Sequence, residues 1–503
     1  MNARAIAVAL AAAALAATAA DAAPRPKPAT PTTTRARAPK GATMSATLDR
    51  SRPPHLPPAP RPVLPRMTSL KLANGLELDV VEMHAAPVVD VTLLVRAGAV
   101  RDPDDLPGLA TFTANMLDEG AGRRTSLQIA EEVDYLGATL SANGGIEVSQ
   151  VNLHAPKTVI GEALDVFADV VLRPTFPDSE VARQRELRKT ALLQLRDQPN
   201  SIAPLAFNAV LFGPGHPYGR PANGNEASTA ALDRARVAEF HTRWYRPNNA
   251  RLLFVGDITP AEAHALAEAR FGGWAAAEVP APPSPSPKPA AARAIYIVDK
   301  PGAPQSVIRI GNVGVPRSTP DYFPIQVMNT LLGGAFTSRL NQNLREAHGY
   351  TYGATSGFEM RRLAGPFRAG ASVGTAVTDS AVVEFLKELR RIRDAEVPAD
   401  ELAKTRQLLA LGLPGDFETS AATAQRFVDV LANDLPPDTW DRYVDGVEAV
   451  TAADVQRVAR TAIDPDHFVM LVVGDRAAIE PGLKALNEGA VEVRDLWGGE
   501  VRP

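Results

Sequence analysis

The 503-residue chain contains no cysteine, which excludes disulfide bonds and cysteine-bound metals. Beyond its N-terminal segment it has no apolar run long enough to span a bilayer. Aromatic residues are few, at 6%, whereas 45% of the residues are hydrophobic and 22% are charged. This composition is ordinary for a globular protein, and the length leaves room for two or more domains.

The N-terminal segment has the pattern of a secretory signal peptide. A positive end, Met1–Arg4, precedes an apolar run over Ala5–Ala17 that is too short to cross a membrane, and small residues follow it. We therefore predict a signal peptide at 1–23 and a periplasmic or secreted protein with no transmembrane segment after cleavage. An uncleaved anchor is the alternative.

Residues 24–66 are predicted to be a disordered, proline-rich and basic linker. The stretch 24–65 holds 12 prolines and a net charge of +7, a composition that cannot bury enough apolar surface to fold. The whole chain carries −4 and the signal segment is neutral, so residues 66–503 carry −11. An acidic body argues against nucleic acid as a partner.

A second proline-rich stretch divides the remaining chain into two halves. We predict an N-terminal half at 67–276, an interdomain linker at 277–293, a C-terminal half at 294–485 and a tail at 486–503.

The two halves resemble each other. A helix pattern that starts at Leu232 leads to Pro247 and then to an apolar strand that ends at Gly256, and the same order recurs 218 residues later. This shared spacing indicates duplication. Hairpins and helix pairs in mixed order predict an α+β fold, in which each half is a mostly antiparallel sheet with helices packed on one face. The linker would join the two halves as a clamshell.

A short helix is predicted within Leu106–Glu119, where Pro107 suits the first turn. Thr111, Ala114 and Asn115 share one face of this helix. The stretch resembles the zinc helix of the pitrilysin/insulinase (inverzincin) metallopeptidases, whose H-x-x-E-H motif stands in the context G-L-A-H-F-x-E-H-M-L. The surrounding frame is kept, but both histidines and the glutamate are replaced.

The resemblance places a third zinc ligand, a glutamate, on a later helix. This sequence has Ala191 and Leu192 there, with no acid. No two of the eight histidines lie three or four residues apart, so no helical substitute is evident. The sequence therefore predicts no metal in this chain.

The second half keeps a different part of the family pattern. Its stretch TSRLNQNLREAHGYTY, residues 337–352, resembles S-R-L-x-x-x-L-R-E-x-x-G-x-x-Y. In the family, the Arg and Tyr of this motif contact the substrate backbone near the scissile bond, which implies Arg345 and Tyr352 here. Read without the family, Arg345 is a surface charge and Tyr352 a half-buried strand residue. Further resemblance lies in HPYG at His216–Gly219.

The resemblance to the mitochondrial-processing-peptidase-like branch implies a zinc-free subunit. Such a chain would bind and orient extended peptides for a homologous partner subunit that carries H-x-x-E-H and the zinc. One alternative is a non-catalytic structural or peptide-binding scaffold, as some family members are in the respiratory chain. A second is a stand-alone metallopeptidase with non-standard ligands.

A glycine pair lies in the stretch that follows the predicted helices. Residues 140–154 are strand-rich, and Gly144-Gly145 interrupts them. In relatives this region can pair with extended peptide, and a glycine pair allows close backbone approach. We interpret it as a β-bulge.

Overall fold

The computed structural model describes residues 61–281, 284–287 and 290–501. The predicted signal peptide and almost all of the predicted linker at 24–66 lie outside these residues. In the described ranges, none of the helices combines the length and the apolar character that a membrane span requires.

The N-terminal half contains two sheets and helices that follow their strands. Its strands are β1 (Met67–Lys71), β2 (Glu77–Glu82), β3 (Val88–Val95), β4 (Gly120–Ala121), β5 (Arg124–Thr125), β6 (Thr139–Gly144), β7 (Ser149–Pro156) and β8 (Ala250–Gly256). Its helices are α1 (Leu109–Asn115), α2 (Ser126–Tyr135), α3 (Ile160–Leu172), α4 (Asp178–Leu195), α5 (Pro199–Phe212), α6 (Glu226–Ala231), α7 (Arg234–Trp244) and α8 (Pro260–Phe271).

The C-terminal half follows a similar order. Its strands are β9 (Ala294–Asp299), β10 (Gln305–Val313), β11 (Ala354–Phe358), β12 (Pro366–Gly374), β13 (Val469–Gly474) and β14 (Ala490–Arg494). Its helices are α9 (Tyr322–Asn329), α10 (Thr378–Asp394), α11 (Ala399–Gly412), α12 (Ser420–Ala432), α13 (Tyr443–Ala449), α14 (Ala452–Ala462) and α15 (Arg476–Ala485), with π-helical turns at Thr330–Gly334 and Asn341–Ala347.

Each half is built on one large sheet. The strand orders are β1-β2-β8-β3-β7-β6 and β11-β12-β10-β13-β9-β14. Most neighbours are antiparallel, and the parallel pairs are β2–β8, β9–β13 and β9–β14. The predicted α+β fold with two mostly antiparallel sheets is confirmed.

The duplication is visible element by element. Helices α7 and α14 have the same length and begin 218 residues apart, and each is followed by a short 3-10 turn that opens with Pro247 or Pro465. Strands β8 and β13 come next and lie centrally in their sheets. Read from opposite ends, the two strand orders match position for position.

The halves differ in the strand that fills the outer edge. In the first sheet this is β1, which forms an antiparallel hairpin with β2; in the second it is β14, which runs parallel to β9. Because β14 lies within 486–503, the prediction of a tail there needs correction. The strand pairs the outer edge of β9, whose backbone groups would otherwise be free to join another chain.

Helices of its own half pack on one face of each sheet, as predicted, and a helix of the other half covers the second face. Helix α5 of the first half packs on β10 and β13, and helix α12 of the second half packs on β3 and β8. Strand residues alternate accordingly, since Leu93 faces the core of its own half while Leu94 joins the core of the other. This reciprocal packing holds the two halves in one compact unit.

The Gly144-Gly145 pair ends a hairpin and is not a bulge. Pairing of β6 with β7 is continuous up to Gly144 and Ser149, and the N–H of Gly145 closes the turn by donating to the carbonyl of Val148 at 2.8 Å. A Cβ at Gly144 would collide with the backbone of Thr111. The glycine thus lets α1 lie directly against the edge strand.

We expect Gly144→Ala to lower the free energy of unfolding by about 1–3 kcal/mol, since the added methyl overpacks the contact with α1. Urea denaturation measures this loss. The matched control is Gly357→Ala in β11, the corresponding edge strand, where a Cβ meets no atom within 4 Å. Equal stability of the two variants would show that β6 and α1 are not tightly packed.

Candidate functional site

The helix that resembles the zinc helix is α1, which begins after Gly108, later than predicted. Its N-terminus is capped by a side chain from the segment that precedes it. The buried carboxylate of Asp102 accepts the N–H of Gly108 through Oδ2 and the N–H of Ala110 through Oδ1, each at 2.7 Å. These groups belong to the positive end of the helix dipole, so a carboxylate stabilises it there. Burial nevertheless raises the pKa of Asp102 to about 7, against these hydrogen bonds and the nearby Arg220 and Arg188.

The three positions that correspond to the zinc motif offer no ligand set. Thr111 is buried, and its hydroxyl lies 2.9 Å from the carbonyl oxygen of Ala222 and 3.1 Å from that of Gly108. Ala114 is buried in the core, and Asn115 is exposed at the helix end. The first ligand position is therefore engaged with the backbone of a neighbouring loop.

A cation lies beside this helix. Arg188 on α4 donates Nη1–H to the carbonyl of Gly108 at 2.8 Å, and its guanidinium lies 4.9 Å from the ring centroid of Phe112. Burial lowers the pKa of Arg188 to about 10, which leaves it protonated at neutral pH. Arg188 precedes Ala191 and Leu192, the positions implied for the third ligand, by one helical turn.

These residues do not fit a zinc ion. Threonine, alanine, asparagine and leucine cannot replace the family's imidazoles and carboxylates, and a protonated guanidinium nearby repels a divalent cation. Across the described part of the chain, no group of three or more His, Cys, Asp or Glu side chains is arranged to hold a metal.

The titration of Asp102 gives a pH prediction. Its pKa is about 7 when folded and about 4 when unfolded, so the folded protein holds the proton more tightly between these values. The carboxyl therefore contributes most to stability below about pH 4, and this contribution is lost as the pH rises through 7. Asp102→Asn does not titrate, so urea denaturation from pH 4 to 8 should show the wild type losing stability relative to this variant. A constant difference would mean that Asp102 ionises normally.

In the second half, Arg345 lies in the π-helical turn Asn341–Ala347. Its guanidinium lies 4.3 Å from the ring centroid of Phe336, and Nη1 is 3.5 Å from a carboxylate oxygen of Glu346. Phe336 is itself 69% exposed. Arg345 is thus a half-buried cation held against an aromatic ring that faces solvent.

Tyr352 is 93% exposed and lies just before β11. The interpretation of Tyr352 as a half-buried strand residue is therefore wrong. In the described residues, no hydrogen bond or ion pair joins Tyr352 to Arg345, and neither is bonded to α1. The structure places both residues beside β11, at one edge of the second sheet.

The backbone that carries this pair is firmly anchored. Asn341 accepts the N–H of Ala354, the first residue of β11, at 2.9 Å. The Asn343 amide donates to Glu384 and Glu388 of α10 at 2.8 and 2.9 Å. The segment that presents Arg345 is therefore fixed both to the edge strand and to the helix layer behind it.

Sequence reasoning assigned no role to Arg188 or Phe336, and it interpreted Asp102 only as part of an acidic cluster that forms a solvated face or a cap. Asp102 belongs to an acidic cluster that could equally be a solvated surface, and Arg188 stands in a helix rich in charged residues. Phe336 follows Gly333-Gly334 and carries no periodic signal. For Asp102 the available signal was its position shortly before α1, where an aspartate can cap the helix.

Comparison with known proteins agrees with this architecture. Residues 80–212 match the family model described as insulinase (peptidase family M16), and residues 231–409 match the peptidase M16 inactive domain. The chain belongs to the M16 peptidase family and contains a domain of its inactive type. The predicted membership of the pitrilysin/insulinase family is confirmed.

Three relatives illustrate the range of the family. An uncharacterised zinc protease of Mycobacterium leprae is 28% identical over 58% of this chain, and the aligned part spans 65% of that protein. The mitochondrial-processing peptidase subunit beta of Lentinula edodes is 23% identical over 80% of this chain and 89% of its own length. A crystal structure of a peptidase M16 inactive domain from Pseudomonas fluorescens has a TM-score of 0.74 at 25% identity, covering 81% of this chain and 98% of its own.

Proposed function

We propose that this chain is the zinc-free subunit of an exported two-subunit peptidase. It binds extended peptides and orients them for a homologous partner that carries H-x-x-E-H and the zinc ion. The observation that supports this best is the contrast between the two halves. On the zinc-helix face the hydroxyl of Thr111 is bonded to backbone carbonyls, and Arg188 lies beside the helix, so the region fits no metal. In the second half, by contrast, Arg345 is half-buried and Tyr352 is exposed.

The chemistry of the retained pair suits peptide positioning. A phenol hydroxyl and a guanidinium can donate hydrogen bonds to a peptide carbonyl oxygen, and these strengthen as negative charge develops on it. Donors act best when they are held in place before the substrate arrives. The anchoring of the Arg345 segment to β11 and α10 supplies that rigidity.

The test is co-purification of the full chain with a homologue that carries H-x-x-E-H. Peptide cleavage is assayed for each subunit and for the pair, and zinc is measured in each. We expect cleavage only by the pair, and zinc only in the partner. Cell fractionation and N-terminal sequencing check export.

Other outcomes would overturn the proposal. Stoichiometric zinc together with cleavage by the purified chain alone would establish a stand-alone metallopeptidase. Stable assembly with a homologue whose cleavage rate is the same with and without this chain would establish a scaffold.

A further inference from the structure

The two halves meet through the turns of matching hairpins. Glu147, in the turn between β6 and β7, accepts the backbone N–H of Arg362, in the turn between β11 and β12, at 3.1 Å. The hydroxyl of Tyr218, from the HPYG motif, donates to Glu147 and accepts the N–H of Leu363 at 3.3 Å. Residues of both halves are thus joined at one point.

Asp434 makes a second set of contacts between the halves in the same region. Its carboxylate accepts hydrogen bonds from Arg96, which follows β3, and from Arg362, the latter at 2.8 Å. These two arginines therefore share one counter-charge, while Glu147 is already engaged with Tyr218 and the Arg362 backbone.

A cavity of about 450 Å³ lies beside these contacts, and Glu147 and Asp434 both line it. Both halves line it, and the start of the segment between them covers one side through Val279, Pro280 and Ala281. Its volume lies in the range of pockets that hold small organic ligands, and such pockets occur preferentially where domains meet.

Arg101 contributes an uncompensated positive charge to this cavity. Its Nη1 donates to the carbonyls of Pro280 and Ala281 at 3.0 and 2.9 Å, and its guanidinium lies 4.4 Å from the ring centroid of Trp244. Within the described residues it has no carboxylate partner, and the charged groups that act on it, Arg96 and Arg243, are also cations.

The charged side chains that line the cavity carry a net positive charge. Three arginines line the cavity against two carboxylates, and both carboxylates already have partners. A half-buried guanidinium is costly without a counter-charge, and its planar fork matches carboxylate and phosphate oxygens.

We propose that this cavity binds a small carboxylate or phosphate compound, whose anionic group is held by Arg101. The ligand contacts both halves and the segment between them, so its binding stabilises the contact between the halves. This site is separate from the peptide-binding pair, and the proposal does not depend on the proposed function.

The experiment uses the full chain with two probes, citrate and inorganic phosphate, against sodium chloride at equal ionic strength. We expect one or both probes to raise the melting temperature beyond the chloride value, and titration calorimetry to give a saturable isotherm. The probe with the larger effect distinguishes a carboxylate ligand from a phosphate ligand. Arg101→Gln should weaken binding at least tenfold.

Arg243→Gln is the matched control. Arg243 also lies over Trp244, 5.0 Å from its ring centroid, but it does not line the cavity. Its variant should bind the probe as the wild type does. If Arg101→Gln does not fold, Arg101→Lys keeps the charge without the planar fork and should bind detectably but more weakly. Absence of any shift beyond chloride, or equal binding by wild type and Arg101→Gln, would overturn the proposal.

Discussion

Replacing Tyr352 by phenylalanine in the complex with a zinc-bearing partner is expected to lower the kcat of peptide cleavage about 100-fold, the cost of removing one donor to a developing oxyanion. The substitution removes only the hydroxyl. Since Tyr352 is 93% exposed, stability and assembly should not change. Steady-state kinetics on a peptide substrate measure the effect.

The control is Tyr135→Phe at the end of α2, where the tyrosine is 88% exposed. It loses the same hydroxyl at similar exposure and should leave kcat unchanged. Arg345→Ala should behave like Tyr352→Phe, with a further rise in KM because a cation that binds substrate is lost. Full activity of both site variants would mean that the pair does not touch substrate and would favour the scaffold alternative.

Phe207→Ala is expected to lower the free energy of unfolding by about 3–5 kcal/mol, the usual cost of emptying a large buried site. Phe207 lies on α5, is fully buried, and shares its core with Val307 and Leu471 of the other half. Its loss should therefore also weaken the coupling between halves. Calorimetry should show the unfolding transition broaden or split in two.

Phe271→Ala provides the comparison, because Phe271 is equally buried but belongs to the core of the first half alone. This variant should lower the free energy of unfolding by a similar amount and leave the coupling between the halves intact. If Phe207→Ala unfolds in one sharp transition with a loss below about 1 kcal/mol, α5 does not contribute to joining the halves.

The duplication was predictable because proline and glycine mark the same turns twice. Pro247 and Pro465 open equivalent 3-10 turns, and Gly256 and Gly474 end equivalent strands. The packing of α5 and α12 on the sheet of the opposite half was not predictable. An apolar strand such as β8 has the same pattern whichever half supplies the helix above it, since periodicity reports burial and not the identity of the neighbour.

The candidate site also has features that the sequence predicts and features that it does not. The loss of zinc ligands could be seen at Thr111, Ala114 and Asn115 because a metal site depends on residue identity. The position of Arg188 depends on how α4 crosses α1, which no local pattern encodes. Strand β14 was missed because it is short and only partly buried, and its partner β9 lies far away in the chain.

The exchanged helices bear on how such a chain could arise. A single ancestral half would leave one sheet face uncovered and one apolar helix without a surface to cover. Two copies would satisfy both needs, because the helix of each copy would cover the free sheet face of the other. Fusion of the two genes would then preserve an obligatory dimer within one polypeptide, and each copy would be free to lose or keep different parts of its chemistry.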